Sequence, residues 1–154
     1  MKYSIADIES FAARFYQGRN LLITPYAYNT IFLALAQNAV QTNTINIAAN
    51  ADFIALGLRH RAQIGAVQTI STITIPFVRV LITDSGSNEQ FSNTSIDLNN
   101  YAPVMPVDFP LPYPRIVSGR STLTVQATNY APAAETYTSI ELSIYGVLIR
   151  ALQG

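Results

Sequence analysis

The feature that most constrains the chain is a strict two-residue alternation in its C-terminal third. Leu123, Val125 and Ala127 fall on one side of an extended segment, and Thr122, Thr124, Gln126 and Thr128 on the other. Ile140, Leu142 and Ile144 then alternate with Glu141, Ser143 and Tyr145. A period of two puts every second side chain on one face of a pleated strand, so both segments are half-buried strands, apolar inward and polar outward. Asn129 and Pro132 mark the turn between them, and Gly146 signals a bulge or a close approach of another backbone.

The alternation recurs upstream. Asn43 to Ala48 sets Ile45 and Ile47 against Thr44 and Asn46, and Thr30 to Ala36 reads as a strand through Ile31, Phe32 and Leu33. These two are expected to be neighbours. From Asp52 to Ile64, Ile54, Leu56, Leu58, Ala62 and Ile64 share one face with His60, while Ala55, Gly57, Arg59 and Arg61 share the other. Phe77 to Thr83 is apolar on both faces apart from Arg79, the pattern of a strand inside a sheet, and Pro76 marks its start. Asp84-Ser85-Gly86-Ser87-Asn88 is a turn by composition, and Phe91 to Leu98 holds one further short strand.

The chain before Pro25 differs. Ile5, Ile8, Phe11, Ala12 and Phe15 recur at helical spacing, Ser4 is placed to cap and Gly18 to stop, so residues 1–25 are expected as a short helix. It either lies on its own domain or docks on a neighbour as an arm. Prolines at 103, 106, 110, 112 and 114, mixed with Tyr101, Phe109 and Tyr113, predict an extended loop over 99–114 without regular ladder bonding. About 40 residues follow, too few for a second domain, so residues 26–154 are expected as one domain. Strands separated by loops, with no alternating helices, indicate an all-β antiparallel sandwich or barrel.

Composition narrows the function. Charged residues make up 12% of the chain, about half the usual ~25%, and nine basic residues balance nine acidic ones. Such a neutral surface favours packed assembly and lacks the footprint of a phosphate-tracking protein, so no nucleic-acid partner is expected. There is no Cys, no apolar run of the ~18 residues a membrane span needs, and Asp7 and Glu9 stand where an export leader would be apolar. The one histidine, His60, lies between Arg59 and Arg61 and is expected in the core. Asp52, Asp84, Asp97 and Asp108 show no calcium-loop or paired-acid spacing, and no nucleophile elbow, phosphate loop or zinc pair occurs. Catalytic residues, metals and cofactors are therefore not expected, and the chain does not read as an enzyme. Aromatic residues and Arg suit interfaces, which makes Phe11, Phe15, Tyr16, Tyr26, Tyr28, Tyr101, Phe109, Tyr113 and Arg115 the candidate contact residues. Exposed Tyr side chains could equally stack on sugars.

Several short segments carry a family resemblance. Asn43-Thr44-Ile45-Asn46-Ile47, Asn50-Ala51-Asp52-Phe53, the run Phe77 to Asp84 with its polar turn and Phe91-Ser92-Asn93 are similar to small β-sandwich virion proteins of tailed bacteriophages. So are Pro110-Leu111-Pro112-Tyr113-Pro114, Ser121 to Val125, Thr128-Asn129 and Ile140 to Gly146. The likeness spans about residues 43–150 and leaves out the N-terminal helix. It implies a jelly-roll-like sandwich that cements or decorates the capsid exterior after assembly in the host cytoplasm, bound to the major capsid protein lattice as a dimer or trimer. A neck or tail component, or a carbohydrate- or receptor-binding module, are the alternatives.

Overall fold

The computed structural model describes residues 3–17, 20–65, 74–100 and 110–152. Within them lie one α-helix, α1 (Ile5–Phe15), one turn of 3-10 helix (Leu98–Asn100), and nine strands: β1 (Asn20–Leu35), β2 (Val40–Asn46), β3 (Asp52–Gln63), β4 (Val78–Asp84), β5 (Glu89–Gln90), β6 (Ile96–Asp97), β7 (Pro110–Val117), β8 (Thr122–Asn129) and β9 (Tyr137–Leu152). Two antiparallel sheets form, in the orders β1-β9-β3-β7 and β2-β8-β4-β5, with β6 also pairing β4. The first strand thus pairs with the last, β2 with β8, β3 with β7, and β4 with the short β5 and β6. This is the connectivity of a long hairpin wrapped around a core, a jelly roll, and the expected all-β sandwich is the fold observed.

The alternation builds the core. Leu123, Val125 and Ala127 of β8 face Ile140, Leu142 and Ile144 of β9 across the sandwich, together with Phe32, Phe53, Leu58, Val80 and Ile82, all at most 1% exposed. A second apolar cluster lies on the outer face of the first sheet, where Phe11 and Ala12 of α1 cover Ile54, Leu56, Val147 and Ile149. Burying one such aromatic side chain contributes about 1.5–3 kcal/mol. The helix begins in a reciprocal capping box: Ser4 Oγ accepts from Asp7 N at 3.1 Å and Asp7 Oδ2 accepts from Ser4 N at 3.0 Å. These hydrogen bonds hold the Asp7 carboxyl below its ordinary pKa. Tyr3 donates its hydroxyl to Leu111 O, and Tyr16 donates to Asp52 Oδ2 at 2.6 Å. In the isolated chain the helix lies on its own domain.

Four expectations need correction. The strands at Thr30–Ala36 and Asn43–Ala48 do not pair with each other: β1 pairs β9, and β2 pairs β8 in the other sheet, because consecutive strands of a jelly roll cross between sheets. The sheet takes up the chain at Asn20, not after residue 25, and Pro25 lies opposite Val147. A proline is tolerated there because β1 is an edge strand. In β3 a register shift between Ala55 and Gly57 bulges out Leu56, so Ile54 and Leu56 turn to the helix while Leu58 and Ala62 turn to the core. Finally, part of the proline-rich stretch is a strand. Pro110 and Arg115–Val117 pair with β3, and the ladder opens over Leu111–Pro114, where two of the three β7 prolines remove donors.

The free edge of β1 is partly closed by side chains from the other sheet. Gln41 Nε2 donates to Leu33 O at 2.8 Å, and Asn43 Nδ2 donates to Ile31 O at 2.9 Å, which removes acceptors that another chain could pair with. Beside them Ala34 is exposed and holds φ +52°, a left-handed conformation that costs an L-residue roughly 1–2 kcal/mol. Ala34→Gly is expected to stabilise the fold by about 0.5–1 kcal/mol, the glycine's greater unfolded-state entropy offsetting part of the relief. Thermal denaturation reads this as a rise of about 1–4 °C; a lower midpoint would show that Ala34 is not strained.

Candidate interaction surface

The nine candidate contact residues divide sharply. Phe11, Phe15 and Tyr113 come together although about 100 residues separate the helix from β7 in sequence. The Phe11 ring lies 4.9 Å from that of Phe15 and 5.4 Å from that of Tyr113, edge-on to the latter. Phe11 is 7% exposed, whereas Phe15 and Tyr113 are 55% and 60% exposed. A buried aromatic therefore fixes two exposed ones on the outer face of the first sheet, the arrangement of a rigid contact anchor.

The other candidates are structural or stand apart. Tyr28 is buried, packs on Phe53 at 4.9 Å and accepts from Ala48 N at 3.0 Å, so it belongs to the core. Tyr16 is used to hold α1 to Asp52. Tyr26 is exposed and rests its ring on Tyr28. Arg115 bridges the two sheets: its guanidinium pairs with Glu89 at 3.1 Å and lies 4.4 Å over the Phe91 ring. Tyr101 and Phe109 lie outside the described residues.

The groups considered for chemistry are drawn into the scaffold. His60 is 1% exposed, on the core face between Leu58 and Ala62. Asp52 accepts from Tyr16 and, through Oδ1, from Gly119 N at 2.8 Å. Asp84, 2% exposed, closes the β4–β5 turn by accepting from Gly86 N and Ser87 Oγ. Asp108 lies outside the described residues. Among the described residues no three His, Cys, Asp or Glu side chains are grouped as metal ligands.

A second surface is built by whole strands of the second sheet. Inward burial of Ile45, Leu123, Val125, Val78, Val80 and Ile82 turns their alternates outward on the second sheet. The registers set these in rows: Asn46 beside Thr122; Thr44, Thr124 and Thr83 abreast; Thr42, Gln126 and Leu81; then Val40, Thr128 and Arg79. Arg79 is the only charged side chain of the eleven. Beyond the last row stand Phe77 and Tyr130, joined by Tyr130 N to Phe77 O at 2.9 Å with rings edge-on at 5.7 Å. Tyr130 donates its hydroxyl to Asp97, and the Arg79 guanidinium lies 4.6 Å over its ring. Burial, and then the bond to the Asp97 carboxylate, raise the Tyr130 pKa, so the phenol keeps the proton that holds it in place. The threonine alternation was legible in sequence; that three strands align it into one face was not. No family model, curated protein or solved structure matches the chain.

Proposed function

We propose that the protein is a structural virion component, a jelly roll that docks on the assembled coat lattice of a bacteriophage and stabilises the shell as a cement or decoration protein. The observation that carries this reading is the exposed pair Phe15 and Tyr113, held rigid by buried Phe11 on the outer face of the first sheet. Aromatic side chains fixed before contact lose little entropy on binding and dominate interface energies. Jelly rolls serve capsid and lectin domains alike, so fold alone does not choose between them. The balanced charge of the chain adds support, since it removes the repulsion that would oppose many copies packed on one shell.

The test is made on virions that carry the protein. Its copy number is expected to be a fixed fraction of the coat protein, and a few copies per particle would move it to the neck or tail. Phe15→Ala combined with Tyr113→Ala is expected to lower occupancy at least about tenfold, the effect of losing one or two interface anchors. Both side chains are exposed, so the isolated domain should melt within a few degrees of the parent. Unchanged occupancy would remove the α1 face from the interface.

A further inference from the structure

The outer face of the second sheet lies on the opposite side of the sandwich from α1, and its chemistry is different. Its rows offer hydroxyls and amides in place of charges, and among the described residues the side chains of Thr42, Thr44, Thr83, Thr124, Gln126 and Thr128 make no hydrogen bond to one another or to the rest of the fold. Their donors and acceptors face outward and are unspent. Adjacent strands stand about 4.8 Å apart and alternate residues about 6.7 Å apart, so these groups form a regular array.

One end of that array carries an aromatic platform. Phe77 is 46% exposed and is fixed through its backbone, whose N–H donates to Tyr137 Oη at 2.8 Å and whose carbonyl accepts from Tyr130. Tyr130 is pinned by Asp97, and Asp97 in turn accepts from Asn99 N at 3.0 Å. Stacking on Tyr130 fixes the exposed Arg79 without occupying its N–H donors. We infer that this face binds a neutral glycan, with Phe77 stacking on the apolar face of a sugar ring, Arg79 donating to ring or hydroxyl oxygens, and the Thr44–Thr124–Thr83 row exchanging hydrogen bonds with further hydroxyls.

The chemistry of the face selects this partner. A polyanion needs several cations, and Arg79 stands alone among eleven outward side chains. A protein partner needs an apolar centre to its contact patch, whereas the centre here is Thr124 and Gln126. A sugar chain supplies what both lack: many hydroxyls, no charge, and ring faces able to stack on an aromatic. The open face suits several units lying along the rows. The site goes beyond lattice docking and does not depend on it, since α1 and the array occupy opposite outer faces.

The experiment uses the isolated full-length chain in native gels cast with dextran, mannan, galactomannan or a soluble β-glucan, with polygalacturonate and dextran sulfate as anionic counterparts. At least one neutral polymer is expected to retard the protein. Phe77→Ala should weaken that retardation at least about tenfold, and Thr124→Val, which removes a hydroxyl at nearly constant shape, about three- to tenfold. Both variants should keep the parent's melting temperature within a few degrees, because both side chains face outward. The inference is overturned if no neutral polymer retards the chain, if only the anionic polymers do, or if neither substitution changes the retardation of the folded protein.

Discussion

Gly146→Ala is expected to prevent the chain from reaching its native sandwich. A Cβ at this position would stand 1.9 Å from the Ile54 carbonyl oxygen and 2.9 Å from its carbon. Both atoms are main chain of β3, and β9 is held on both sides, Gly146 lying opposite Tyr26 of β1 and Ala55 of β3. Relief therefore requires prising apart the two central strands of the first sheet. Overpacking that side chains can absorb costs about 1–3 kcal/mol; here nothing soft is available, and a loss of about 4 kcal/mol or more is expected from a typical total of about 5–15. Gly57 shows the contrast, since a Cβ there meets the Tyr145 ring, a side chain that can rotate away. Urea denaturation of soluble Gly146→Ala, or its failure to accumulate as soluble protein, checks the expectation; a midpoint equal to the parent's would reject the close approach.

Asn129→Ala is expected to cost about 3 kcal/mol through lost hydrogen bonds. Asn129 is wholly buried. Its Nδ2 donates to Leu35 O at 3.0 Å and Glu135 O at 2.8 Å, and its Oδ1 accepts from Ala131 N at 2.9 Å. One amide thus ties the end of β1, in the first sheet, to the end of β8, in the second, and shapes the turn into β9. Each buried backbone group left without a partner costs about 1–3 kcal/mol, and partial relaxation keeps the sum near the lower end. At about 2–4 °C per kcal/mol for a domain of this size, the melting temperature should fall by about 6–12 °C. Hydrogen exchange at the Ala131 amide should accelerate with it. A fall below about 2 °C would mean that water replaces the side chain at no cost.

These two residues also show where sequence reading succeeded and where it stopped. Gly146 stands out as a glycine inside an alternating strand, and the close approach is what the fold delivers. Asn129 was legible only as a turn residue. That it anchors two sheets depends on Leu35 O and Glu135 O arriving beside it, which no local pattern encodes. The strands and most of their inward faces follow from period two, but their partners do not. Local alternation cannot say which sheet a strand joins, and the bulge at Leu56 reverses the facing of everything after it in β3. Among contact candidates, Phe15 and Tyr113 meet through Phe11, while Tyr28 shares their chemistry and lies in the core; residue type suggests an interface, and burial alone separates the two.

The pairing of β1 with β9 has a kinetic consequence. Asn20 lies opposite Leu152, so the longest ladder among the described residues joins segments far apart in the sequence. Until β9 leaves the ribosome, β1 and β3 have no strand between them and the first sheet cannot close, even though β2 and β4 are already available. Folding dominated by such distant pairings runs on the millisecond-to-second scale, and for that interval β1 is without the partner that fills its inner edge. In the folded chain the Gln41 and Asn43 amides occupy Leu33 O and Ile31 O on the opposite, outer edge, so the inner edge is left to β9 alone.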